Sequence, residues 1–424
     1  MRMKILKVIG VGALAAVVLA GAGCNDYLEV ENPEVVDAGT VDPNDAAAVE
    51  AFSRSALQNL AVAYGWMAMY TGWFSGEALV AETFPTRNEF GRRDVSDRNG
   101  SLNTDVWTPI SVARASGDKV LQIMAGNANE NSSLDVARAA LVSGYSFVWM
   151  AEAFCQGAID SGPALTYAMM LDSAVARFTK ANAVGTAAVA KLSGSAKTEA
   201  QSIANAALVG RARAHLDAGR KTQAAADADQ VPAGFVMNLQ YIDDLSNRTR
   251  LGNRIWQFTL QRGSIAVAPA YRALNDPRVP FNAPVPALVA QDGLTAFYTE
   301  AKWTSYSAPV RLASKKEADY ISAEAKGGAA ALAIINRERA AAGMPAYSGA
   351  TDDNSVLTEL LDQKAREFYL ENVHMGDFRR APNNVKYVPQ PGAAYHKPGY
   401  DPIKNQTCIP LSSAETDNNP NFNP

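Results

Sequence analysis

The sequence predicts a mainly α protein, a tetratricopeptide-like stack of helical hairpins joined to an irregular, loop-rich part. Three observations predict it. Apolar residues recur at three- and four-residue steps over most of the chain, which is the helical period. Tight turns divide several periodic stretches into pairs. Between about 232 and 312 the period lapses while proline and aromatic residues accumulate. The 424 residues are 48% hydrophobic and 19% charged, enough apolar surface for a sizeable core and too little charge for a disordered chain. A formal charge of −4 gives no drive toward nucleic acid.

The first 23 residues read as an export signal. Arg2, Lys4 and Lys7 form a positive start, and Val8 to Gly23 is apolar and uncharged. That stretch is short for a spanning helix, which needs about 20 residues, and no later stretch is long and apolar enough. Leu19-Ala20-Gly21-Ala22-Gly23-Cys24 is similar to a lipoprotein processing site, so Cys24 is the expected lipidation residue. The usual pattern has a large aliphatic residue where Gly21 stands. The alternative is an ordinary secretory signal cut near Gly23. Two further cysteines, Cys155 and Cys408, fit one disulfide in an oxidising compartment, or two buried thiols.

The mature chain is expected to be one domain over 24–424. Residues 25–43 are polar, proline-punctuated and extended, and Asp42-Pro43-Asn44-Asp45 signals a helix start. Ala48, Phe52, Ala56, Leu60 and Val62 place a helix over about 45–70. Residues 83–104 are polar and glycine-broken and are expected to be a long loop. Helices are expected near 105–127, 133–155, 166–190, 198–218 and 221–229. Ala212, Gly219 and Ala224 are small where paired helices need close approach. The helical core is thus about 44–230 and 313–380, with helices near 316–342 (a pair broken at Gly327-Gly328) and 354–372. The insert 232–312 is expected to be irregular with a few short strands, and the tail 381–424 to be coil.

The C-terminal third carries a family likeness. Arg311, Asp319-Tyr320, Ala323-Glu324, Asn336, Arg339 and Ala342-Gly343 together resemble a block typical of SusD/RagB-family surface lipoproteins. Arg366-Glu367-Phe368, Glu371 and Asp377-Phe378-Arg379-Arg380 resemble the family's next element. Residues 408–424 resemble its closing segment, although Ile409-Pro410-Leu411 departs from the usual Pro-Ile-Pro. Upstream, Cys24-Asn25-Asp26-Tyr27-Leu28, Asn32-Pro33, Trp107 with Asp118, and Asn275-Asp276-Pro277-Arg278 look like further family landmarks. The resemblance implies capture rather than chemistry. It implies a lipid-anchored lid at the cell surface, on a TonB-dependent (SusC-like) outer-membrane transporter, that delivers oligosaccharides or peptides. It implies no cofactor.

A glycan-binding surface needs exposed rings for sugar C–H faces and polar side chains for hydroxyls. Trp66, Tyr70, Phe147, Trp149 and Phe178 sit at helical spacing and are expected in the core, with Trp107. The ligand candidates are therefore in irregular stretches: Phe84, Arg87, Asn88, Phe90, Arg92 and Arg93 in one, and Tyr271, Arg272, Phe281, Trp303 and Tyr306 in the other. No catalytic or metal motif is recognisable: Asp243-Asp244 and Asp352-Asp353 look like turn or cap residues, and Glu371, His374 and Asp377 match no standard zinc spacing. Arg366, Glu371, Arg379 and Arg380 are expected to form an ion network tying the last helix to the tail. A helical-repeat envelope scaffold without a small ligand is the alternative function, and a lipid-anchored hydrolase a third.

Overall fold

The computed structural model describes residues 40–422. The export signal, Cys24 and most of the tether lie outside the described residues. Among those described, no helix is long and apolar enough to cross a membrane.

The helices begin where capping side chains are available. Asp45 accepts from the backbone N–H groups of Ala47 and Ala48 to start α1 (Ala46–Phe74). The strand β1 (Ala78–Val80) and the short helix α2 (Pro85–Arg92) follow. A π-helix at Leu102–Trp107 leads into α3 (Thr108–Ile123). Ser133 caps α4 (Leu134–Ala153) and Thr166 caps α5 (Tyr167–Val189). Then come α6 (Gly194–Asp217) and α7 (Lys221–Gln230), separated by Gly219 at φ 72°, a conformation that favours glycine. Across these helices α3 packs on α1, and from α4 to α7 each helix packs on the one before. The buried helix is α4, covered from Val136 to Ala153. Phe178 of α5 fits between Gly144 of α4 and Gly210 of α6, where an added Cβ would stand 2.8 Å and 2.3 Å from its ring atoms. Ala212 and Ala224 are fully buried at the next crossing.

The insert holds only fragments of sheet. β2 (Val236–Leu239) pairs with β6 (Val310–Ser314), β3 (Ile265–Val267) with β1, and β4 (Phe281–Asn282) with β5 (Thr299–Glu300), all antiparallel. Single helical turns lie at Arg248–Leu251, Arg254–Trp256 and Pro269–Arg272, and a second π-helix at Gln257–Gln261. Ser314 caps α8 (Lys315–Lys326), which packs on α7. Gly327 and Gly328, both at positive φ, turn the chain into α9 (Gly328–Ala341). α10 (Asp353–Glu367) and α11 (His374–Arg380) follow, and the tail, expected to be coil, carries a single helical turn at Ser413–Thr416 that Ser412 caps.

Two expectations are corrected. Residues 83–104 are not a loop throughout, because α2 and the start of a π-helix lie within them. The helix expected over 354–372 stops at Glu367. Leu370 and Asn372 adopt positive φ, and this turn aims the Leu370 N–H at the buried Glu77 carboxylate at 2.8 Å.

Cys155 and Cys408 are joined in a disulfide with 5.1 Å between Cα atoms. Beside it the tail runs as one parallel bridge on the end of α4: Cys155 N–H donates to Ile409 O, and Ile409 N–H to Ala153 O. Trp107 is buried, as expected, and its indole N–H donates to Glu415 of the tail at 3.1 Å. The ion network reaches well beyond the tail. Arg213 of α6 holds Glu152 of α4 in a two-pronged pair at 2.5 and 2.6 Å and approaches Glu317 of α8. Arg380 joins Asp217, Glu324 and Asp377, while Lys364 also pairs with Asp377. Arg311 and Lys302 of the insert hold Glu371. Arg366 pairs with Asp276 and Asp362, whereas Arg379 donates to the Phe154 carbonyl rather than to a carboxylate.

Candidate ligand-binding face

The polar stretch and the insert meet at the C-terminal half of α1. Pro85 starts α2 at a position that needs no N–H donor, and Phe84, just before it, stands half exposed at 50%. One turn on, the Arg87 guanidinium lies 5.1 Å from the Phe84 ring centroid and 5.1 Å from that of Phe258. Arg87 is fixed there by Glu82 at 2.9 Å, by Asp105 at 3.2 Å and by the Tyr70 hydroxyl, which itself donates to Asp105. Phe258 meets the half-buried Trp66 edge to face at 5.3 Å. Arg254 stacks over Trp66 at 4.2 Å, and the exposed Arg262 lies 4.9 Å from the Phe258 centroid. Trp256 and Tyr306 pack at 4.6 Å, with Arg248 over Tyr306 at 4.9 Å.

The result is an alternating run of rings and guanidinium groups. Both π-helices contribute to it, Asp105 from the first and Phe258 from the second. Such turns are rare and concentrate at functional sites. On the other side of Phe84, Gln291 accepts from the Thr83 N–H at 2.7 Å. That contact brings up the 285–294 loop, where Val285, Val289 and Leu294 are exposed. Rings can cover the C–H faces of a sugar and guanidinium groups can donate to its hydroxyls or to acidic groups.

The structure separates the candidate residues. Phe84 and Arg87 belong to this face, whereas Tyr306 is buried between Trp256 and Arg248, which corrects its reading as a ligand contact. Asn88 and Tyr271 are fully buried, which corrects their reading as ligand contacts. Asn88 is occupied with the Glu82 and Phe84 carbonyls and the Tyr395 hydroxyl. Tyr271 packs against Tyr369 and Tyr387. Phe90 is buried against Tyr70, and Arg93 lies under the tail, donating to the Lys404 carbonyl. Arg92 is turned toward Asp94, Asp401 and the Tyr400 ring. Trp303 is buried as well, while Phe281 sits half-buried against Tyr298, over which Arg272 stacks. Trp66, expected in the core, is half-buried and lines the face instead. Arg254, Phe258 and Arg262 escaped the sequence reading; the nearest signal was the aromatic density of the insert.

A separate apolar hollow of about 270 Å³ lies under the tail, between Trp73, Val80, Pro269, Tyr395 and His396. It is smaller than the roughly 300–1,000 Å³ of common ligand pockets. Burial pushes the His396 imidazole down to about 4, and this side chain is held by the Val80 carbonyl. Among the described residues no group of acidic, histidine or cysteine side chains is placed to hold a metal ion.

No protein-family model matches the chain, and no curated protein matches it. Solved structures do. A SusD-like carbohydrate-binding protein from Bacteroides vulgatus superposes with a TM-score of 0.64 at 13% identity, covering 89% of this chain and 97% of that one. A chitin-binding SusD homolog from Flavobacterium johnsoniae gives 0.63 at 13% identity, over 85% and 89%. A laminarin-binding SusD-like protein gives 0.62 at 13%, over 89% and 98%. At this identity the likeness is one of architecture, and it spans nearly the whole chain: the protein has the SusD/RagB fold, as its C-terminal motifs imply.

Proposed function

We propose that this protein captures oligosaccharides at the outer-membrane surface, held there by a lipid on Cys24, and passes them to a TonB-dependent transporter. The activity is binding, without turnover of the ligand. The observation that carries the reading is the exposed Phe84 ring and the half-buried Trp66 set with Arg87 and the exposed Arg262 around the buried Phe258, on a SusD-like fold. Solved proteins of that fold described as binding chitin and laminarin support the choice of saccharide over peptide.

Calorimetric titration of the purified mature chain with oligosaccharides tests this. Binding is expected, and Phe84→Ala and Trp66→Ala should each weaken it at least about fivefold, the loss of one ring contact. Unchanged affinity in both variants would remove the face from the proposal. Mild detergent extraction should also recover an outer-membrane barrel with the native protein; recovery alone would count against the transporter.

A further inference from the structure

The face has an unbalanced charge. Arg254 is 8% exposed, yet among the described residues no carboxylate lies within ion-pair distance of it. Its guanidinium donates to the Thr249 carbonyl and the Gln257 side chain, both at 2.9 Å, and more weakly to the Arg250 carbonyl; its buried Nε has no partner. Arg262, exposed above the same Phe258 ring, makes no ion pair among the described residues, nor does the exposed Arg250. The carboxylates at hand are already engaged. Glu82 holds Arg87 and accepts from Ser264, and Asp105 holds Arg87 and accepts from Tyr70.

Elsewhere the chain does not leave buried arginines so. Arg114, Arg138, Arg213 and Arg366 each have at least one carboxylate. The exception is Arg93, which the tail covers and which donates to the Lys404 carbonyl and lies over the Phe378 ring. A buried cation without a counter-ion is unfavourable, and a like charge next to it makes it more so. Burial pushes Arg254 down to about 10, and Arg262 and Arg87 add to that shift while Asp105 opposes it. An anion from outside relieves all of this at once.

We infer that the saccharide taken by this face is acidic, carrying carboxylate or sulfate groups that Arg262 contacts above the buried charge of Arg254. Rings take the C–H surfaces, and the arginines distinguish an acidic sugar from its neutral counterpart. The inference rests on the saccharide reading above and narrows its substrate class.

The test is affinity for matched pairs. Oligogalacturonate is compared with its carboxyl-reduced form, and a sulfated chondroitin oligosaccharide with its desulfated form. At about 20 mM salt at least one acidic member should bind about tenfold tighter than its partner, and the gap should shrink at about 500 mM as the charges are screened. Arg262→Gln, at an exposed site where folding is not at risk, should narrow the gap at least about threefold, because it weakens binding of the acidic member more than that of its neutral partner. Neutral members that bind as well as acidic ones would overturn the inference and leave the proposed function standing. Failure of every saccharide, acidic or neutral, would overturn both.

Discussion

Arg213 and Arg254 are buried to almost the same degree, 7% and 8% exposed, and in opposite company. Arg213, in the helical stack, is clamped by Glu152 and Glu317 and donates to the Asn372 carbonyl. Arg254, in the insert, has the face of Trp66, two backbone carbonyls and an amide. The first arrangement closes its own charge balance and locks α4, α6 and α8 together. The second leaves a balance to be closed by something else. Within one chain, the partner of a buried arginine separates residues that hold the fold from residues that wait for a ligand.

That contrast can be broken in three places. Arg213→Ala strands Glu152 and Glu317 in the core and should cost about 3–5 kcal/mol of stability in urea denaturation. Burial pushes the Glu152 carboxyl up to about 8 even with its arginine opposing the shift, and loss of Arg213 will push it higher still. A loss below about 1 kcal/mol would show the pair to be dispensable. Gly210→Ala presses a methyl onto Phe178, whose ring is already against Gly144 and cannot retreat. The expected loss is about 1–3 kcal/mol in the same assay, and a neutral result would mean that the α4–α6 spacing is softer than it looks. Arg254→Met keeps the apolar stem on Trp66 and strands no carboxylate, so its stability should change by less than about 1 kcal/mol. If Arg254→Met instead destabilised the fold as much as Arg213→Ala, the distinction between the two arginines would fall.

The helical stack was legible because burial there follows a period. Ala56 and Leu60 of α1, or Ala212 and Ala224 at the α6–α7 turn, are buried where spacing places them. The short helix α2 was not legible, since only Asn88 and Phe90 of its eight residues are buried and two positions make no period. The face was half legible. Phe84 and Arg87 stand out as a ring and a cation in a polar stretch, but Trp66 sits on a regular helix and reads as core. Arg254 and Phe258 lie on a single turn and a π-helix, and Arg262 just after it, where no repeat marks which side faces out. Tyr271 and Trp303 misled for the same reason: an irregular backbone can bury a ring as thoroughly as a helix does.

The bridge between Cys155 and Cys408 also bears on how the molecule is made. Cys408 follows Cys155 by 253 residues, so a ribosome completes α4 long before it delivers the segment that closes its end. Until then the Ala153 carbonyl and the Cys155 N–H lack their tail partners, and the Cys155 thiol is open to oxidation. Closure of this end is therefore a late step relative to the helix itself, and a chain halted before Cys408 carries a free thiol at Cys155.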